Sequence, residues 1–200
     1  MQEYVAYAIN YVFGITNRDL SVIAWSQGNL DTQWALKHWP STCDVVSDFI
    51  SISADFHGSR FLTAQCSRFP ILPCPPSIIQ QGYDANFITT LRSDGGDSAY
   101  VPTTSIYSAA DEFIQPQSGP GASAFINDAC GIGATNNELQ VICNGRPAGS
   151  FVTHEGVLYN PVAFALAVDA LINGGPGSTS QIDLTTLCGQ VATEGLSLTD

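Results

Sequence analysis

Short runs rich in β-branched and aromatic residues alternate with helical patterns along this chain of 200 residues. The strand patterns lie at Leu20–Ala24, Phe49–Ser53 and Tyr100–Tyr107. The helical patterns lie at 4–12, after Gly28 as far as Pro40, at 80–91 and at 162–172. The proline-rich segment 66–77 and the stretch from 108 to about 150 are expected to be irregular. Since parallel strands need crossover connections, the alternation predicts an α/β fold, with a mostly parallel sheet and flanking helices.

The composition excludes several classes of protein. Hydrophobic residues make up 44% of the chain, which is too many for a disordered protein. Eighteen acidic residues against 6 basic ones give a net charge of −12, so we expect no nucleic-acid partner and no anionic membrane partner. The longest apolar stretch, around Val162–Val168, is far shorter than the roughly 20 residues that cross a bilayer.

The cysteine pattern leaves the cellular compartment open at this stage. The six cysteines are Cys43, Cys66, Cys74, Cys130, Cys143 and Cys188. None forms a Cys-x-x-Cys pair, so we expect no structural metal. An even number in an acidic chain with one lysine is typical of oxidised, extracellular proteins, yet no signal peptide is visible at the start. The chain is therefore either cytosolic with free thiols or lacks its natural N-terminus.

The segment Ala24-Trp25-Ser26-Gln27-Gly28 follows a strand pattern and precedes a helical one. It resembles Gly-x-Ser-x-Gly, the sharp turn that raises a nucleophilic serine above the sheet of α/β-hydrolases, with Ala24 in place of the first glycine. Small flanking residues are needed because the strand and helix backbones approach closely. The pattern predicts Ser26 as nucleophile and the Gln27 N–H as one oxyanion donor. The alternative is a chance strand–serine–glycine turn.

A serine nucleophile needs a histidine base, and in α/β-hydrolases the chain order is serine, acid, histidine. The three histidines are His38, His57 and His154. His38 lies on the helix that leaves the predicted turn and points elsewhere. His57 precedes the best candidate for the acid, so its order is wrong. His154 is therefore the predicted base.

The candidate acid is Asp111, which follows the strand pattern at Tyr100–Tyr107. The carboxyl ends of parallel strands are where α/β sheets carry functional groups. Asp55 also follows a strand, but it precedes the remaining sheet elements and is expected to be structural. Glu112 stays open as an alternative because it neighbours Asp111. With the serine and histidine named above, Asp111 completes a set in α/β-hydrolase order.

Three stretches carry a resemblance to a known family. They are the turn at 25–28, the run Val101-Pro102-Thr103-Thr104 through Asp111-Glu112 to Gln115-Pro116-Gln117, and the His154 loop with its following helix. From about residue 4 to Cys188 the chain resembles the fungal lipase B family. The resemblance implies a secreted α/β-hydrolase that cleaves fatty-acid esters without a metal or cofactor. It implies Ser26 as nucleophile, Asp111 as acid, His154 as base and Gln27 as a backbone oxyanion donor.

The same resemblance bears on the cysteines. It implies a disulfide between Cys143 and Cys188 that brackets the histidine loop. Some relatives in the family make a bond such as Cys66–Cys74 plausible. Cys43 and Cys130 match no pair of the family.

One departure from the family pattern concerns the start of the chain. A second oxyanion donor belongs to a loop after an earlier strand, but only about 19 residues precede the nucleophile strand here. We therefore expect residues 1–200 to be a single, partial α/β-hydrolase domain without its N-terminal strands and leader.

Two functions follow from these expectations. The first is a lipase or esterase that acts on an ester or lipid substrate through an acyl-enzyme, with no obligate protein partner. The second is a non-catalytic product, or a lipid-binding partial domain without a complete oxyanion hole. Amide hydrolysis by the same triad is a third option that no sequence feature marks out.

Overall fold

The structure is a computed structural model that describes residues 2–68 and 74–196. These ranges contain four strands and eight α-helices, together with short 3-10 helices and loops. The strands are β1 Leu20–Trp25, β2 Val46–Ile52, β3 Thr103–Tyr107 and β4 Ala134–Glu138. The helices are α1 Gln2–Thr16, α2 Gln27–His38, α3 Arg60–Arg68, α4 Pro76–Gln80, α5 Asn86–Arg92, α6 Leu139–Ile142, α7 Pro161–Asn173 and α8 Leu184–Leu187. Within these ranges no helix is long and apolar enough to cross a membrane.

The strands form one parallel sheet in the order β1-β2-β3-β4. Val22 is paired with Phe49, Phe49 with Thr103, and Thr103 with Ala134, so the strands are aligned across the sheet. Because the strands are parallel and aligned, the carboxyl ends of β1, β2 and β3 meet at one edge. The predicted α/β fold with a parallel sheet and flanking helices is confirmed.

Both faces of β2 are covered, and alternate side chains of this strand enter two different cores. Phe49 packs with Ile9 of α1 and Leu36 of α2 on one face. Ile50 packs on the other face, in the core that contains Leu166 of α7. A strand buried on both faces has an almost continuous apolar sequence. This burial explains the pattern at Phe49–Ser53 from which the strand was predicted.

Helix α7 begins where the sequence predicts. The Asn160 side chain accepts hydrogen bonds from the N–H groups of Val162 (3.0 Å) and Ala163 (3.3 Å). Pro161 occupies the first turn, where its missing N–H costs nothing. The helix packs against β2 and β3, and thereby anchors the C-terminal end of the loop that carries His154.

Strand β4 lies inside the stretch that the sequence predicts to be irregular, so that expectation is wrong. Its residues, Ala-Thr-Asn-Asn-Glu, have low β-propensity. Side chains compensate: Asn136 exchanges hydrogen bonds with the main chain of Ile126 (2.9 Å each), and Asn137 donates to Ser105 O (3.1 Å). A strand stabilised by such long-range polar bonds leaves no local pattern.

Three further predictions need correction. Helix α3 extends into the proline-rich segment, of which residues 69–73 lie outside the described ranges. The helix predicted at 80–91 is instead α4 and α5, which are separated at Gly82, where a Cβ would lie 2.8 Å from Thr63 Oγ1. Helix α1 extends beyond the pattern at 4–12 and ends at Thr16, before Asn17, whose φ is 51°. Asparagine tolerates that left-handed conformation better than most residues.

Candidate active site

Ser26 lies on the sharp turn between β1 and α2. Its backbone has φ 54° and ψ −131°, a strained combination for a residue with a side chain. The Ser26 N–H still donates to Ile52 O of β2 at 3.0 Å. A Cβ built on Gly28 would lie 3.6 Å from the Ala24 Cβ, which is ordinary contact. Alanine is therefore accommodated in place of the first glycine of the motif.

Asn29 braces this turn, a role that the sequence gives no sign of. Its Nδ2 donates to Ser26 O and to Ile52 O, both at 2.9 Å. The side chain is fully buried, so these two bonds replace contacts with water. Asn29 thus ties the turn to the end of β2 and holds the strained backbone of Ser26 in place.

The structure brings Ser26, His154 and Asp111 together. His154 Nε2 lies 2.8 Å from Ser26 Oγ, and His154 Nδ1 lies 2.7 Å from Asp111 Oδ2. Both distances fall in the range expected between a nucleophile, its base and the group that orients the base, about 2.6–3.2 Å. The imidazole is therefore bonded at both nitrogens, with the hydroxyl on one side and a carboxylate on the other.

The Asp111 carboxylate is held by its own loop. Oδ1 accepts from the N–H groups of Phe113 (2.9 Å) and Ile114 (2.7 Å), which leaves Oδ2 for His154. The Gln115 side chain donates to Asp111 O at 2.6 Å. The carboxylate is fully buried. Its position is thus determined by main-chain donors rather than by solvent.

The other candidate residues lie elsewhere or have other partners. The Glu112 carboxylate makes no hydrogen bond to the imidazole in the described ranges and instead accepts the His154 main-chain N–H at 2.8 Å. The His57 ring bonds to Ala122 O at 3.2 Å. The His38 ring packs on Trp34 with ring centres 4.5 Å apart. Only His154 contacts Ser26 among these three histidines.

Asp55 is a buried acid behind the site. It is fully buried, and neither carboxyl oxygen bonds to another described residue. Burial raises the pKa of this carboxyl to about 8, and the negative charges of Asp111 and Asp31 add to the rise, while the N–H of its own residue offsets it in part. At neutral pH Asp55 is therefore mainly protonated.

Two aromatic rings flank the imidazole. The centre of the Trp25 ring lies 5.2 Å from that of His154, and the Phe113 ring meets it edge-on at 5.7 Å. Both aromatic side chains are partly exposed. They shield the histidine from water and give the mouth of the site an apolar rim. In the described ranges no group of three His, Cys, Asp or Glu side chains could hold a metal ion.

Two disulfide bonds are present, and both predicted pairs are confirmed. Cys66 bonds to Cys74, and Cys143 bonds to Cys188. Cys43 and Cys130 are free. The Cys143–Cys188 bond closes a segment that contains the His154 loop and α7, as the family resemblance implies.

The parallel sheet and the strand–serine–helix turn define the α/β-hydrolase fold. No family model matches the chain. Lipase B of Pseudozyma antarctica is 31% identical over 172 residues, which cover 84% of this chain and 47% of that protein. The crystal structure of Aspergillus fumigatus lipase B superposes with a TM-score of 0.88 at 55% identity, over 96% of this chain and 46% of the other. The resemblance to fungal lipase B is therefore confirmed, and the chain spans about half the length of these relatives.

Proposed function

We propose that this chain carries the catalytic groups of a serine carboxylic-ester hydrolase, a lipase or esterase that acts on fatty-acid esters. One observation carries the proposal: Ser26 Oγ, the His154 ring and the Asp111 carboxylate are joined by hydrogen bonds of 2.8 and 2.7 Å. The similarity to two lipases over most of this chain favours ester chemistry.

The proposed reaction has two halves. Ser26 Oγ attacks the ester carbonyl while His154 Nε2 takes the hydroxyl proton. The tetrahedral adduct then expels the alcohol, to which His154 returns the proton, and the acyl group remains on Ser26. A water molecule attacks the acyl-enzyme with His154 again as base, and the acid is released. Asp111 keeps the Nδ1 proton in place and stabilises the charged imidazolium.

The Gln27 N–H is the proposed donor to the oxyanion. It opens α2, where the first N–H groups of a helix have no partner within the helix. The positive end of the helix dipole favours the negative oxygen at the same point. Removal of one such donor typically costs about 10²–10³ in kcat, so Gln27 supplies a substantial share of the proposed rate.

The surroundings of the site suit an apolar ester. Trp25 and Phe113 give the mouth partly exposed aromatic surface that an acyl or alcohol chain can cover. Both disulfide bonds favour a protein of an oxidising compartment, so we propose secretion. All the protein groups named in the proposed reaction belong to this chain.

The test is covalent labelling with a fluorophosphonate probe, together with hydrolysis of a p-nitrophenyl ester. The proposal expects the probe on Ser26, and expects neither labelling nor turnover after Ser26→Ala. His38→Asn is the matched control, since His38 is exposed and distant from the turn. A wild-type protein that the probe leaves unlabelled would favour the non-catalytic, lipid-binding alternative.

A further inference from the structure

We infer that Glu112 and Ser53 are positioning residues, which hold the main chain of His154 so that its ring faces Ser26. This inference rests on the proposed function, because it assigns the two side chains a part in aligning the proposed base. Neither residue touches the hydroxyl of Ser26 or the imidazole in the hydrogen bonds described above.

The main-chain N–H and C=O of His154 are bonded by residues outside their own segment. His154 lies in a turn between Val152 and the short 3-10 helix Gly156–Tyr159, so no helix or sheet supplies its bonds. The residue is buried. An unpaired N–H or C=O in such a place would be costly and would leave the loop free to move.

Side chains fill this gap on both sides of His154. The Glu112 Oε2 accepts the His154 N–H at 2.8 Å. The Ser53 hydroxyl donates to His154 O at 3.0 Å, and Trp25 Nε1 donates to the same oxygen at 3.3 Å. Main-chain donor and acceptor of the proposed base are thus both held by side chains.

Each holding residue is next to another part of the proposed site. Glu112 follows Asp111, Trp25 precedes Ser26, and Ser53 comes directly after β2. The His154 backbone is therefore tied to the same loop and turn that place its two ring partners. The main chain of His154 is fixed at one end of the side chain, and Nδ1 is bonded to Asp111 at the other. The χ1 and χ2 torsions of His154 therefore have little freedom, and Nε2 stays within reach of Ser26.

Ser53 has a backbone that marks it as unusual. Its φ is 48°, in the left-handed region, while its N–H still donates to Ile106 O of β3 at 2.9 Å. Backbone strain of this kind persists only where the surroundings enforce it, and it concentrates at functional sites. Here the strained residue follows β2 and offers its hydroxyl to His154 O.

The expected effect falls on turnover rather than on binding. A misplacement of about 1 Å in a catalytic group can cost on the order of 10²-fold in rate. We expect Glu112→Ala and Ser53→Ala each to lower kcat by about ten-fold, and the double variant by about 10²-fold, with KM nearly unchanged. Glu112→Gln keeps an oxygen that can accept the N–H, so it should recover most of the kcat lost in Glu112→Ala.

Two matched controls are present in the chain. Glu155, next to His154 in the chain, is an exposed carboxylate, and among the described residues its Oε1 accepts a hydrogen bond only from the Tyr159 hydroxyl, at 3.3 Å. Ser51 lies on the strand that leads to Ser53, is fully buried and has a hydroxyl without a partner among the described residues. Glu155→Gln and Ser51→Ala should leave kcat within about two-fold of the wild type.

The measurements are made on the whole 200-residue chain and combine kinetics with NMR. Only three histidines are present, so ¹⁵N-labelled imidazole signals can be assigned by single substitutions. The proton shared by His154 Nδ1 and Asp111 should broaden or disappear in Glu112→Ala and persist in Glu112→Gln. This signal reports ring placement whether or not the protein turns over an ester.

The outcomes separate the two ideas. Unchanged kcat and an unchanged imidazole signal in both alanine variants would overturn the positioning role, even in a fully active enzyme. Equal losses in the controls and in the alanine variants would overturn it too. A wild-type protein that neither hydrolyses esters nor reacts with the probe would refute the proposed function instead, and the imidazole signal would still decide on the positioning of His154.

Discussion

The Nε2 atom of His154 lies 2.8 Å from the Oγ atom of Ser26, although 128 positions of the chain separate them. Ser26 follows β1, at one side of the described sheet, whereas His154 comes after β4, at the other. A contact between such distant segments forms only when the sheet and its crossover helices are in place. A variant that is active must therefore have this sheet and its crossover helices correctly folded.

The first prediction concerns Asp111→Asn. Because Asp111 Oδ1 accepts two main-chain N–H groups, the substituted amide would keep its oxygen there and present its N–H₂ to His154 Nδ1. That donor favours the tautomer with the proton on Nε2, which can then no longer accept the proton of Ser26. We expect a fall in kcat of about 10⁴-fold with little change in KM, by analogy with other triads. Steady-state hydrolysis of a p-nitrophenyl ester measures this loss.

Asp97→Asn is the control for that experiment. The Asp97 carboxylate lies 3.8 Å from Nε2 of His57, a histidine that is not the proposed base. It should leave kcat nearly unchanged. Comparable losses in the Asp97 and Asp111 variants would contradict the assignment of Asp111.

The proposed site could be predicted because its signals are local or ordered. The turn around Ser26 needs small neighbours and a strand before a helix, and both are visible in a few residues. Chain order then selects His154 over the other histidines, and the end of a strand pattern selects Asp111. These rules follow from how parallel sheets are connected, so they apply before any coordinate is known.

The residues that the sequence does not reveal act at long range. Asn29 braces the turn through Ile52 O, 23 positions away, and its bond has no sequence pattern. Strand β4 is polar and is stabilised by bonds to Ile126 and Ser105. From the sequence, Glu112 is only an alternative candidate for the acid. Its actual partner is the main-chain N–H of residue 154, which any residue except proline would provide, so no sequence pattern reveals the bond.

The second prediction concerns pH and Asp55. Its pKa is about 8 when folded against an ordinary value of 3.8. Between these values the folded state keeps a proton that the unfolded state has released, so stability falls as the pH rises. The limiting slope is about 1.4 kcal/mol per pH unit. Asp55→Asn cannot ionise and should remove this slope.

Chemical denaturation from about pH 4 to about pH 8 tests the Asp55 prediction. The free energy of unfolding of Asp55→Asn minus that of the wild type should increase as the pH rises, and it should be smallest at the acidic end. The exposed Asp19→Asn is the control and should show no such trend. A constant difference between Asp55→Asn and the wild type at every pH would refute the buried protonated carboxyl.

The third prediction compares the two disulfides. The Cys143–Cys188 bond closes a sequence separation of 45 residues and the Cys66–Cys74 bond one of 8. By loop entropy, the longer closure contributes roughly 4 kcal/mol and the shorter one roughly 2.5 kcal/mol. Replacing each pair with alanines should therefore destabilise the protein more for the longer loop.

A functional measurement separates the two disulfide variants further. The longer bond encloses the His154 loop, so its loss should also lower the rate of ester hydrolysis below the unfolding transition. Loss of the Cys66–Cys74 bond serves as the control, since it leaves that loop closed. A larger destabilisation from the shorter loop would contradict the entropic account.

The last prediction concerns self-association of the 200-residue chain. β1 lies at the edge of the described sheet, and its Ile23 side chain is 56% exposed. Helix α1 adds exposed Tyr7 (65%) and Ile15 (66%) nearby in the sequence. A sheet edge with bare apolar side chains pairs readily with other chains. Sedimentation velocity should therefore detect oligomers whose fraction grows with concentration.

The substitution Ile23→Lys should reduce this oligomeric fraction, because a charged residue on an edge strand opposes pairing. The control Val141→Lys, at an exposed apolar position on α6, should change the fraction little. A chain that remains monomeric at all concentrations would show that the edge of β1 is already protected.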